Sequence, residues 1–262
     1  MKFVKMHGLG NDYVFMDAFR QSAPENPAAL SVEVSRPHTG VGADGLILIL
    51  PAQGADARMR IFNADGSEGE TCGNGLRCVA RYLWEEGICR RQEYAIITGA
   101  GLARARLVFD GQAIRAVTVD MGAAELLGEK TVDVLGEPVR FTCVSMGNPH
   151  AVCFDRFPED ERTLTAWGST VETDPRFPGR TNVEFCRLEG DVILTAVWER
   201  GSGITQACGS GACACFAAAR SLGFAGDTAT VRLPGGELNL ALGKDGHVLM
   251  TGPATRVFRG EL

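Results

Sequence analysis

The sequence predicts a mixed α/β (α+β) chain of two similar, sheet-rich domains, each wrapping one central helix. Three observations predict this. A Cys-Gly-x-Gly segment occurs twice with a helical apolar stripe behind it. A Gly-Asn element recurs at nearly the same offset. Most of the remainder reads as short, alternating strands.

The first duplicated segment runs from Cys72 to Gly87 and the second from Cys208 to Gly223, with glycine at +1, +3 and +15 from the leading cysteine in both. Leu76, Val79, Ala80 and Leu83 match Ala212, Cys215, Phe216 and Ala219, the i, i+3, i+4, i+7 stripe of a helix with one buried face. Gly87 and Gly223 are C-terminal stops. Each leading cysteine therefore stands at a helix N-terminus. The second element is Gly10-Asn11 before Tyr13–Asp17, and Gly147-Asn148 before His150–Asp155; the asparagines stand 137 residues apart and the cysteines 136. An offset of about half the chain implies two related halves facing each other, not a solenoid of many short repeats.

Strands are expected at Gly45–Leu50, Arg58–Phe62, Leu102–Val108, Ala113–Val119, Asp191–Trp198, Thr228–Leu233 and Glu237–Leu242, with a switch between halves near Val117–Gly122. Pro24–Pro27 reads as a surface loop. Gly40-x-Gly42-x-x-Gly45 matches a dinucleotide-binding pattern, but a strand-like run follows where a helix is required, so it reads as a tight turn.

The chain has 262 residues, 45% hydrophobic and 22% charged, which suits a globular protein with a sizeable core. A net charge of -6 without a basic cluster argues against nucleic acid. No apolar run reaches signal-peptide or membrane-span length, so a cytoplasmic protein without membrane contact is expected. The nine cysteines are odd in number and lack any CxxC pair, which argues against a disulfide framework and a zinc site; no metal is expected.

Two opposed helix N-termini would offer unpaired N–H groups to a carboxylate, with Gly73, Gly75, Gly209 and Gly211 allowing close approach. Cys72 and Cys208 would then flank the α-carbon, one thiolate removing a proton while the other thiol delivers one. A free thiol has a pKa of about 8.5 that a helix N-terminus lowers, so thiol and thiolate can coexist near neutrality. Glu199-Arg200 precedes Cys208 by nine and eight residues, and Asn63 precedes Cys72 by nine. Arg200 can grip a second carboxylate bidentately. Glu199 and His150 can tune the thiols or hold an ammonium group. Asn11, Asn63, Asn148 and Asn182 lie in turn-like settings, and the duplication singles out Asn11 and Asn148.

The segments Lys5–Asp12, Phe62–Ser67, Cys72–Arg77, Gly147–Val152, Arg180–Phe185, Glu199–Gly201 and Ala207–Ala212 together resemble the diaminopimelate epimerase family, in its order and across both halves. The resemblance implies a cofactor-independent isomerase that interconverts LL- and meso-diaminopimelate, serving lysine and peptidoglycan precursor synthesis, without pyridoxal phosphate or metal. It implies a diaminopimelate epimerase-like fold, commonly a homodimer. The expected domains are residues 1–117, joined by 253–262, and residues 118–252, with the active site in the cleft between them. It implies Cys72 and Cys208 as the acid–base pair, with His150 and Glu199 tuning them. Substrate is expected on Asn11, Asn63, Asn148, Asn182, Glu199 and Arg200 and on the backbones of Gly73-Asn74 and Gly209-Ser210. Two positions depart from the family: Gly45, where some members carry Gln, and Ile204, where an acidic residue is usual. The rivals are a two-cysteine proline or hydroxyproline racemase, and a non-catalytic amino-acid binder or redox sensor.

Overall fold

A computed structural model describes residues 1–262. They divide into unit 1, Met1–Asp120 with Thr251–Leu262, and unit 2, Met121–Met250.

Unit 1 runs β1 (Lys2–Gly8), β2 (Asn11–Asp17), α1 (Pro27–Ser35), β3 (Gly45–Leu50), β4 (Ala57–Asn63), β5 (Glu68–Gly69), α2 (Gly73–Glu85), β6 (Glu93–Thr98), β7 (Gly101–Asp110) and β8 (Ala113–Ala123). Unit 2 follows with β9 (Glu125–Val134), β10 (Glu137–Ser145), β11 (Pro149–Cys153), α3 (Glu161–Glu172), β12 (Asn182–Glu189), β13 (Val192–Glu199), β14 (Gly203–Ile204), α4 (Gly209–Ser221), β15 (Thr228–Leu233), β16 (Gly236–Leu242) and β17 (His247–Gly252). The last strand, β18 (Thr255–Glu261), pairs with β1.

The two units share one connectivity. In unit 1 the strand order is β18, β1, β2, β3, β4, β6, β7, β8; only β2–β3 and β4–β6 are parallel, and β5 adds to β4. In unit 2 the order is β9, β10, β11, β12, β13, β15, β16; only β11–β12 and β13–β15 are parallel, and β14 adds to β13. A helix makes each parallel crossover, as a parallel pair requires.

Strand β3 reads Gly-Leu-Ile-Leu-Ile-Leu and is buried on both faces, so it carries an apolar run where a half-exposed strand would alternate. Leu46 and Leu48 join Val14, Met16, Val34 and Phe62 in a core covered by α1. Ile47, on the other face, meets α2 at Gly75. Helix α4 packs against β10, β11, β12, β13, β15 and β16, and Ala212, Cys215, Phe216 and Ala219 are fully buried. Burying a side chain the size of Phe216 contributes about 1.5–3 kcal/mol, so these central helices owe their stability to the stripe and not to their glycine-rich first turns.

Both central helices stop where their glycines predict: Gly87 and Gly223 follow the last turn with φ of 66° and 75°. Each half wraps its central helix, α2 or α4, and carries one further helix, α1 or α3. Pro24–Pro27, read as loop, runs into α1: Asn26 caps the helix by accepting the Ala29 N–H, and Pro27 takes the first turn, where a missing N–H costs nothing. Asp160 caps α3 in the same way.

Candidate active site

Each leading cysteine is the N-cap of its central helix. Cys72 Sγ accepts the Gly75 N–H at 3.3 Å, and Cys208 Sγ accepts the Gly211 N–H at 3.3 Å. Both residues have extended backbone angles, as an N-cap requires. The sulfur thus takes the place of the usual Ser or Asp oxygen and stands where orphan N–H groups and the helix dipole favour negative charge.

In unit 1, Asn11 Oδ1 accepts from Cys72 Sγ at 3.6 Å and from Asn74 Nδ2 at 3.0 Å. Asp44 Oδ2 clamps Asn11 from the other side, accepting its Nδ2 at 2.8 Å and the Asp12 N–H at 3.0 Å. Asn74 Oδ1 accepts from Arg77 Nη2 at 2.8 Å. Arg77 is completely buried, and its Nε donates to the Pro253 carbonyl at 3.0 Å. A Cβ on Gly8 would lie 2.6 Å from Arg77 Nη2, so Gly8 gives the guanidinium its room. Asn63 stands apart at the exposed end of β4, donating to Ser67 Oγ at 2.9 Å. Ser31 of α1 anchors that strand end by donating to the carbonyls of Phe62 and Asn63.

In unit 2, Ser210 Oγ lies 3.6 Å from Cys208 Sγ and accepts from Asn148 Nδ2 at 3.4 Å. Asn148 Oδ1 faces His150 Nε2 at 3.0 Å, and His150 Nδ1 faces Glu184 Oε1 at 2.7 Å. Glu199 accepts from Thr205 Oγ1 at 2.5 Å, and its carboxylate acts electrostatically on the Cys208 thiol. Asn182 donates to the Pro149 carbonyl and accepts the Arg200 N–H at 3.0 Å, while the exposed Arg200 guanidinium reaches the Gly179 carbonyl at 3.2 Å. Glu172, at the end of α3, accepts Trp198 Nε1 at 2.7 Å and the Gly201 N–H at 2.9 Å, bracketing Glu199-Arg200.

The helix termini act on the thiols as expected, but burial outweighs them. Burial pushes the Cys72 thiol up, opposed by the Gly75 N–H, the Arg77 cation and the Tyr13 hydroxyl. Burial pushes Cys208 well above an ordinary thiol, and the carboxylates of Glu199 and Glu184 add to it. Burial also raises Glu199, partly offset by Thr205. The two cysteines thus sit in opposite fields, one beside a cation and one beside two acids.

Sequence reasoning assigned no role to Arg77, Tyr13, Asp44, Glu172, Glu184 or Thr205. Arg77 and Glu184 lay inside segments singled out above; full burial of a charged side chain, which only the fold reveals, marks them.

This fold is the one found in a probable proline racemase from Agrobacterium radiobacter K84, with a TM-score of 0.75 at 17% identity, covering 100% of this chain and 92% of that one. At that identity the likeness concerns architecture. A model of the diaminopimelate epimerase family matches residues 3–127 and 142–257. The diaminopimelate epimerase of Moorella thermoacetica is 46% identical over 278 residues, covering 100% of this chain and 99% of its relative. That of Bacteroides thetaiotaomicron is 48% identical over 269 residues, covering 100% and 98%. The chain belongs to the diaminopimelate epimerase family and is an isomerase.

Proposed function

We propose that this chain interconverts LL- and meso-diaminopimelate with Cys72 and Cys208 as its two bases. A thiolate on one face takes the α-proton, leaving a carbanion; the thiol on the other face delivers its own proton, and the configuration is inverted. The thiol and thiolate have then exchanged roles. The reading uses no pyridoxal phosphate and no metal, and it assigns the chain to lysine and peptidoglycan precursor synthesis as a cytoplasmic homodimer.

The observation that supports it best is the twice-built cysteine N-cap, with each Sγ on the N–H of the third residue onward at 3.3 Å. An amino-acid α-proton is very weakly acidic, and catalysis must supply roughly 8 kcal/mol or more. One helix dipole offers about 0.3–2 kcal/mol. Several preorganised N–H donors on the α-carboxylate, at about 2.7–4 kcal/mol each in a dry site, reach the required range. The backbones of Gly73-Asn74 and Gly209-Ser210 provide them in this reading. Asn11, Asn63, Asn148, Asn182, Glu199 and Arg200 hold the rest of the substrate, with Arg200 on the distal carboxylate. A site lined with such groups rejects ligands that leave them unpaired.

The test is incubation of reduced protein with LL-diaminopimelate in heavy water, followed by proton NMR. Loss of one α-proton signal with appearance of the meso form, without added cofactor, is expected. A folded, reduced sample that exchanges no α-proton refutes the proposal.

A further inference from the structure

Glu184 is completely buried, and the site as read so far does not use it. Its Oε1 lies 2.7 Å from His150 Nδ1, and its Oε2 is buried without a hydrogen-bond partner. A buried, half-satisfied carboxylate is costly and calls for a reason.

The duplicated fold supplies a control. In unit 1, Tyr13 pairs with Gly45 across the parallel β2–β3 ladder, and Ile47 lies two residues on. In unit 2, His150 pairs with Asn182 across β11–β12, and Glu184 lies two residues on. A Cβ on Gly75 would meet Ile47 Cδ1 at 2.6 Å, and a Cβ on Gly211 would meet Glu184 Oε1 at 2.6 Å. Ile47 and Glu184 therefore occupy the same place under the first turn of equivalent helices. The fold accepts an apolar residue there, so architecture does not demand the carboxylate.

A continuous path leads from that carboxylate to the thiol. Glu184 Oε1 faces His150 Nδ1, His150 Nε2 faces Asn148 Oδ1 at 3.0 Å, Asn148 Nδ2 donates to Ser210 Oγ at 3.4 Å, and Ser210 Oγ lies 3.6 Å from Cys208 Sγ. Because Asn148 commits its amide nitrogen to Ser210, it presents oxygen to the ring. Both ring nitrogens then face acceptors, and the path is satisfied only with a proton on each of those two lines.

We propose that Glu184 is a positioning residue for the reaction: it fixes the orientation and proton inventory of His150 and, through Asn148 and Ser210, the reactivity of Cys208. The proposal rests on the assignment of Cys208 as an acid–base group and adds the residue that governs it. Charged and titratable groups acting on Cys208 are Glu199, Glu184 and, along the path, His150.

The experiment uses Glu184→Gln in the full chain. Histidine ring nitrogen NMR, with His150→Asn identifying the signal among the four histidines, reads the proton inventory. Iodoacetamide labelling followed by peptide mass spectrometry reads Cys208, with Cys72 as internal reference. In Glu184→Gln the ring-nitrogen signals of His150 should move from their wild-type positions, because the partner of its Nδ1 has changed from a carboxylate to an amide. Removing the negative charge should make Cys208 alkylate about tenfold faster relative to Cys72. Epimerisation should slow by roughly ten- to a hundredfold, the range of one hydrogen bond to a charged group. Should Glu184→Gln fail to fold, Glu184→Ile carries the residue the same fold accepts at Ile47, with the same expected readouts. Unchanged His150 signals or an unchanged Cys208-to-Cys72 labelling ratio overturns the proposal. Both readouts need no turnover, so a wild type inert toward diaminopimelate would sink the proposed reaction while Glu184 is judged on its own.

Discussion

Adding one methyl group at Gly75 and at Gly211 separates packing from electrostatics in two equivalent helices. Both are third residues of their helices, and in both a new Cβ would come within 2.6 Å of a side-chain tip. At Gly75 that tip is Ile47 Cδ1, a rotatable methyl group. At Gly211 it is Glu184 Oε1, fixed by its 2.7 Å contact with His150, and Cys208 Sγ lies 3.2 Å away as well. Gly→Ala gains up to about 1 kcal/mol of helix propensity, and overpacking costs about 1–3 kcal/mol, so Gly75→Ala should destabilise by roughly 0–2 kcal/mol. Gly211→Ala adds the disruption of a buried, charge-assisted hydrogen bond at about 1.5–3 kcal/mol, for a total of roughly 2–5 kcal/mol. Paired thermal melts check this, at about 4 °C per kcal/mol for a domain of this size. Iodoacetamide labelling should show Cys208 altered in Gly211→Ala and Cys72 nearly unaltered in Gly75→Ala. Melting of Gly211→Ala within a degree of Gly75→Ala would refute the claim that Glu184 is immobile.

Cys72→Ser and Cys208→Ser should each lower the exchange of the substrate α-proton by about 10²–10⁴, the usual contribution of a positioned acid or base, measured by NMR in heavy water. Glu172→Gln keeps one acceptor for the Trp198 and Gly201 N–H groups and turns an amide donor on the other, at about 1–3 kcal/mol. KM for diaminopimelate should rise about tenfold as Arg200 loses its brace, with a smaller change in kcat. Burial pushes the thiols of Cys153 and Cys78 from 9.0 up to about 11 and about 12. Their folded values lie above the unfolded one, so the stability they contribute is whole below pH 9 and is lost as pH rises through 11 and 12. Urea titrations should show Cys153→Ala losing about 2 kcal/mol less than wild type between pH 9 and pH 11.

The central helices were legible because a buried helix writes its stripe and its stop into the sequence. Strand β3 was legible to the residue, because the run from Gly45 to Leu50 is apolar throughout and bounded by turn residues. Helix α1 was not: Pro-Ala-Ala-Leu-Ser-Val-Glu-Val-Ser has no clean stripe, and its proline reads equally as a loop marker or a first-turn residue. Strand β9 was hidden for a different reason: most of its first seven residues are exposed, so little alternation marks it. The two cysteines stood out by duplication. Arg77 and Glu184 did not, because a charged residue in a motif reads as solvated until the fold shows it fully buried.

A duplicated scaffold by itself works against a two-base reaction. Equal half-sites would hold their thiols in the same protonation state, whereas inversion needs one proton present and one absent at the same moment. The substitutions between the halves remove that equality. Around Cys72 the fold carries Tyr13 and Ile47, with Asn63 nine residues before the cysteine; around Cys208 the corresponding positions are His150, Glu184 and Glu199. The buried Arg77 guanidinium favours charge on Cys72, while Glu199 and Glu184 disfavour it on Cys208. One backbone plan thus holds two thiols at unequal proton affinity, a difference carried by three side-chain exchanges and one buried arginine.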